Sequence, residues 1–308
     1  MNTRSIRSMN KWPYIFVAPY VLAYLTFGLF PIIYTFVISL TRWDGISDIE
    51  FVGLRNYIRL FTTDPFFLRS IGNTAILMLM YIPLTILIGL LMANLLNSGL
   101  LPIRNAFRLV NFFPYITIPV AVGLIFALMF DWTTGAVNGI LMELGIIPDY
   151  INWLGDTSYV RYVVALMLVW KFMGYHMMIY SAGLAAIPTE LYEAADIDGA
   201  GYWQKFFYVS LPRLRPITLF LLVTNIIYGF QLFDEPRLLL QGWGTGNPAI
   251  GGPGRVGLTA VWFMFDTAFG SRMEFGLASS IAFSTFLFIF VFSLISVRIY
   301  KGNIGGND

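Results

Sequence analysis

Residues 187–216 read IPTELYEAADIDGAGYWQKFFYVSLPRLRP. The stretch is a charged, helix-forming island, with Glu190, Glu193, Asp196, Asp198 and Lys205 set between two long apolar runs. Ile187-Pro188-Thr189 opens it: Pro188 fixes the approach and Thr189 is positioned to cap a helix. Glu190 and Glu193 follow in what the spacing makes the first turn, where carboxylates favour the helix dipole. Leu191, Ala194 and Ala195 recur at i, i+3, i+4 as a small, smooth stripe. Gly199 is placed to end the helix, since glycine takes the left-handed turn most readily. A second helical piece, 202–210, carries Trp203, Phe206 and Phe207, after which Leu211-Pro212 and Pro216 turn the chain back. The expected form is a helix–turn–helix that another surface can approach closely. A well-capped connector with no partner is the plainer alternative.

The rest of the chain explains why such an island must face water. Of 308 residues, 57% are hydrophobic and only 12% charged, with a mean hydropathy of +0.71. A soluble domain carries about a quarter charged residues, so this chain cannot coat a water-facing surface. A net charge of +2 gives no basis for nucleic acid as a partner. The absence of cysteine excludes disulfides and thiolate sites, and a single histidine, His176, excludes histidine-rich metal sites.

Apolar runs of about 20 residues mark helices that cross a bilayer, and about six pass: 12–40 (interrupted by Pro31), 71–96, 109–130, 160–186, 217–233 and 275–300. The first is too long for a secretory signal peptide. Pro83, Pro114 and Pro119 fall inside spans and are read as simple kinks. Arg4, Arg7, Lys11, Arg104, Arg108, Lys205, Arg213, Arg215, Arg298 and Lys301 fall on one side if the spans alternate. Most acids, from Asp44 to Asp156, fall on the other. The positive-inside rule then places both termini and the 187–216 loop in the cytoplasm, between the fourth and fifth spans. Residues 51–70 are expected as a short interfacial amphipathic helix, 241–254 as a Gly/Pro-rich loop, and 255–269 as a re-entrant or interfacial helix. With no internal repeat or soluble segment, residues 1–308 are read as one all-α membrane domain.

Glu193-Ala194-Ala195, the Asp198-Gly199-Ala200 that follows, and Leu211-Pro212 resemble the EAA loop of ABC-importer permeases. The whole string 187–216 is similar to the version in carbohydrate permeases of the maltose type. Phe51-Val52-Gly53-Leu54-Arg55-Asn56-Tyr57, Asn73-Thr74, Phe113-Pro114-Tyr115, Gly251-Gly252-Pro253 and Ala268-Phe269 agree with that subgroup. The resemblance implies that the EAA helix lies in a cleft of a cytoplasmic ATPase and passes its closure to the spans. Glu193, Ala194, Ala195, Asp198 and Gly199 are the matching positions. It also implies a second related permease, two ATPase subunits that bind ATP and Mg, no cofactor in this chain, and an extracellular or periplasmic solute-binding protein. The setting would be a bacterial or archaeal cytoplasmic membrane, with lipid around the spans.

A sugar needs planar aromatics beside uncharged hydrogen-bonding groups. Thr224, Tyr228 and Gln231 recur at i, i+4, i+7 on one face of the fifth span, and Trp170, Tyr175 and His176 cluster around Gly174 in the fourth. The resemblance implies sugar contact for the first three. Interhelical hydrogen bonding is the alternative, and is the preferred reading for His176. Lys171 needs to snorkel or to find an anionic partner, with an acidic group on the substrate or on a partner as the candidate. Charges near 44–69 and 234–237 are read as solvated loops or as a docking surface for the binding protein. A membrane enzyme is disfavoured: no HExxH, GxSxG or Walker A sequence is present. A proton-coupled transporter would need carboxylates within the spans. A permease for a glycerol-phosphate-like solute would want cations facing the cavity, and only Lys171 is available.

Overall fold

A computed structural model describes residues 12–97, 103–241 and 249–304. Arg4, Arg7 and Lys11, and part of the 241–254 loop, lie outside them. The chain is helical almost throughout: α1 (Pro13–Ser39), α2 (Arg55–Thr62), α3 (Phe67–Asn97), α4 (Arg104–Ile116), α5 (Pro119–Met129), α6 (Ala136–Glu143), α7 (Val160–Ala185), α8 (Thr189–Ile197), α9 (Tyr202–Arg213), α10 (Arg215–Phe230), α11 (Asp234–Gln241), α12 (Ala260–Phe269) and α13 (Phe275–Ile304). Among the described residues, four helices are long and apolar enough to cross a membrane, or six if the bent pairs α4–α5 and α9–α10 each count as one span. By contacts the chain resolves into two compact units, 1–64 with 264–284, and 65–263 with 285–308.

In the first unit a short antiparallel pair, β1 (Thr41–Arg42) and β2 (Glu50–Phe51), aligns Thr41 with Phe51 and Arg42 with Glu50. Asn56 on α2 ties this pair to α1, donating from Nδ2 to the carbonyls of Ser39 at 2.9 Å and Thr41 at 2.8 Å. The amphipathic helix expected within 51–70 is thus real but short. Arg59 makes a two-pronged ion pair with Glu274, at 2.9 and 3.2 Å. Asp44 accepts the N–H groups of Ile46 and Ser47; these bonds hold its carboxyl down at about 2.

In the second unit α3 and α7 pack most extensively. Glycines let α7 approach its neighbours: a Cβ on Gly89 of α3 would lie 2.5 Å from the Cβ of His176, and one on Gly174 would collide with the Asn111 carbonyl oxygen of α4. Asn73 and Thr74, at the start of α3, pin the segment before α12. Asn73 Nδ2 donates to Arg255 and Leu258 carbonyls, Thr74 Oγ1 accepts the Ala260 N–H, and Arg161 holds Asn73 Oδ1 at 2.8 Å.

The prolines do more than kink. Pro83 sits inside a continuous α3. Pro119, read from sequence as a kink, instead opens a new helix, and α4 and α5 meet at 99°. Thr117 and Ile118 are extended there, since the residue before proline avoids helical geometry. Pro31 and Pro212 share a different device. Each is preceded by a five-residue π-helical turn, Leu25–Leu29 and Phe206–Ser210, closed by Phe30 N–H to Leu25 O and Leu211 N–H to Phe206 O. The wider turn makes room for a ring whose missing N–H would otherwise break the ladder. Leu211-Pro212 therefore continues α9, contrary to the expected turn, and the chain bends by 60° at Leu214 instead.

Candidate functional site

The 187–216 segment folds as the helix–turn–helix expected, with corrections at its start. Thr189 makes no capping bond; Pro188 occupies the cap position with extended backbone. Glu190 is in the first turn, whereas Glu193 falls in the next. Leu191 does not join a smooth outward stripe: with Tyr192 it packs inward on Leu90, Leu96, Tyr180, Phe206 and Leu214. The outward face is Glu190, Glu193, Ala194 and Ile197, at i, i+3, i+4, i+7. Ala195, Asp198 and Gly199 line a shallow hollow against Lys205 and Tyr208 of α9. Gly199 has φ +74°. Ala200 N–H reaches Ala195 O at 2.8 Å and Gly199 N–H reaches Asp196 O at 3.0 Å, the paired bonds of a Schellman ending.

This block is hydrogen-bonded to α3 and shares an apolar core with α3, α7 and α10. Lys205 Nζ bridges to Asp196 at 2.5 Å, and Tyr192 Oη bonds Ser210 at 2.8 Å, so α8 and α9 are joined to each other. Asn94 Nδ2 donates to Tyr202 Oη at 2.7 Å, joining α9 to the last turns of α3. Tyr180 Oη donates to Thr218 at 2.9 Å, joining α7 to α10.

The same helices α3, α7 and α10 enclose a cavity of about 290 Å³, at the small end of the range for ligand pockets. Thr224, Tyr228, Gln231 and Tyr175 all line it. Trp170 does not; it packs on Phe126 at 5.6 Å, because one further helical step from Lys171 turns its ring towards α5. The sequence did not single out Tyr81, Tyr115, Phe172, Asn225 or Glu235, which complete the wall. Tyr115 stacks on Tyr175 with ring centres 4.7 Å apart, and Phe172 bridges Tyr115 and Tyr81 at 6.2 Å from each. Tyr115 was present in the Phe113-Pro114-Tyr115 motif, but nothing local showed that it meets Tyr175.

Thr224, His176 and Asn225 have their hydrogens engaged within the protein. Thr224 donates its hydroxyl back to Phe220 O at 2.8 Å, leaving lone pairs. His176 donates from Nδ1 to Phe172 O at 2.8 Å, so Nε2 accepts from Asn225 Nδ2 at 2.7 Å. The histidine is neutral and satisfied, as the helix–helix reading expected. Asn225 also donates to Leu221 O at 2.6 Å, which occupies both amide hydrogens.

Lys171 finds its anion within the chain. Nζ meets Glu235 Oε1 at 2.6 Å, with both side chains nearly buried (6% and 11% exposed). Glu235 was read as an outer loop charge; α11 instead folds against α5, where Gly123 leaves space for Leu238, and this carries the carboxylate inward. Removing one partner would strand a buried charge at a cost of about 3–5 kcal/mol. Of the 44–69 charges, Arg59 and Asp44 already have internal partners.

The profile of the family described as "Binding-protein-dependent transport system inner membrane component" matches residues 7–302. The chain belongs to that family. It is a multi-pass inner-membrane permease subunit of an ABC importer, not an enzyme. It is 36% identical to the arabinooligosaccharides transport system permease protein AraP of Bacillus subtilis, over 96% of this chain and 91% of that protein. The lactose transport system permease protein LacF of Rhizobium radiobacter is 32% identical, over 93% and 92%. The fold matches a crystal structure of a bacterial ABC transporter that imports the acidic polysaccharide alginate, with a TM-score of 0.77, 21% identity, and 97% and 99% of the two chains covered.

Proposed function

We propose that this permease passes a carbohydrate, an oligosaccharide by preference, through the cavity between α3, α7 and α10. The observation that carries the reading is the convergence on one space of the Tyr115–Tyr175 stack with Thr224, Tyr228 and Gln231. Ring faces stack on sugar, and the uncharged hydroxyl and amide groups around them suit a solute rich in hydroxyls. Relatives named for arabinooligosaccharides and lactose support the class. A glycerol-phosphate-like solute is disfavoured, since the single lysine nearby is already paired with Glu235.

In this reading residues 1–308 act as one domain with both termini and α8–α9 in the cytoplasm. Glu193, Ala194, Ala195, Asp198 and Gly199 meet a partner ATPase, and Glu193 pairs with a basic residue there. ATP and Mg belong to two such subunits. A second, related permease completes the pore, and a solute-binding protein docks near the charged hollow lined by Arg42, Asp48, Arg55 and Arg272. The docked block α8–α9 moves α3, α7 and α10 through the Asn94–Tyr202 bond and the shared core.

The test is ATP hydrolysis by the complete reconstituted complex, challenged with binding proteins loaded with different solutes. Stimulation by saccharides is expected; stimulation only by another solute class would overturn the carbohydrate reading.

A further inference from the structure

Glu235 differs from every other group around the cavity. It is the one carboxylate among the described lining residues, and no lysine or arginine lines the space with it. Lys171, its partner, stands behind the wall: it holds Oε1 at 2.6 Å but is not among the lining residues. The pair thus shows the cavity its negative end. Thr224 and Asn225 spend their hydrogens on their own helix and on His176, and the remaining polar groups of the lining, the tyrosine hydroxyls and the Gln231 amide, are uncharged. We infer that Glu235 sets the charge selectivity of the permease, accepting hydroxyl hydrogens from a neutral sugar and repelling uronate, sulfonate or phosphate groups. The inference rests on the carbohydrate reading of this cavity and adds a residue to it.

The physical argument is one of unmatched alternatives. A carboxylate held nearly buried at the wall accepts hydroxyl donors well, because charge-assisted hydrogen bonds are the strong ones. A second anion beside it finds no cation to neutralise it, since Lys171 is already engaged, and like charges brought together cost several kcal/mol. A merely structural ion pair would have no effect on which solute passes.

The experiment measures equilibrium binding of a radiolabelled neutral trisaccharide and of its uronate counterpart to the purified complete transporter. Wild type should favour the neutral sugar by about ten-fold or more. Exchanging the pair (Lys171→Glu with Glu235→Lys) keeps the salt bridge and puts the cation on the wall. That variant should lose or invert the preference. Should the exchange fail to assemble, Lys171→Met with Glu235→Gln removes both charges together and should bring the ratio towards one. Neutral binding with an unchanged ratio in the variant that assembles overturns the role of Glu235 and leaves the carbohydrate reading intact. If wild type binds neither saccharide, both readings fall together.

Discussion

The loop 187–216 and the cavity wall are connected by the same helices, yet they are built on opposite principles. The loop is local: its helix, its glycine stop and its second helix follow from residues a few positions apart, and its outward face is exposed. The cavity is non-local: Lys171 and Glu235 are 64 positions apart, and Tyr115 meets Tyr175 across two helices. The outward face of the loop can therefore be altered without disturbing the fold, whereas the wall is part of the fold.

Substitutions can break that contrast. Glu235→Ala should have the largest effect on stability, about 3–5 kcal/mol from the stranded Lys171, measured as lost thermal stability of the purified complex. If it melts like wild type, the pair is not structural. Gly199→Pro should leave assembly intact and lower uptake by roughly 100-fold, near the top of the range for coupling free energies. Proline cannot adopt the φ of +74° that Gly199 holds. Glu193→Lys should act in the same direction by about ten-fold. Normal uptake per ATP hydrolysed in both variants would remove the loop from coupling.

Tyr228→Ala comes next. Its side chain is largely exposed (66%) at the edge of the cavity, so stability should hardly change. Saccharide affinity should fall by the value of one stacking contact, about 0.5–1.5 kcal/mol. A saccharide titration of the reconstituted complex checks this. The smallest effect is expected at Asp44, whose carboxyl is held at about 2 by the Ile46 and Ser47 N–H groups. A lowered folded-state pKa stabilises the turn above the ordinary carboxylate value of 3.8 and is lost as pH falls through about 2. Proteolysis at 44–47 should thus be constant from pH 7 to 4 and faster in Asp44→Ala, with no shift in global melting.

What was legible in sequence follows the same division. Apolar run lengths set the spans to within a few residues, and the Gly199 stop and the shared face of Thr224, Tyr228 and Gln231 could be read from spacing alone. Thr189 failed as a cap because Pro188 already supplies the extended backbone of that position. Trp170 failed because clustering along a helix does not say which neighbour a ring meets. Glu235 was invisible for a further reason: a short polar helix after a span looks like a loop until the Gly123 contact folds it inward. Lys171 calls for an anion, expected on the substrate or a partner, whereas it lies within the chain.

The 99° break between α4 and α5 has a consequence for what surrounds the subunit. Thr117 and Ile118 are extended at the centre of the apolar run 109–130, and Ile116 and Ile118 are more than half exposed. Non-helical backbone at membrane depth is tolerated only against protein or water, never against hydrocarbon. This flank of the chain is therefore closed to lipid tails. It marks a seam, which either water or a neighbouring polypeptide must fill.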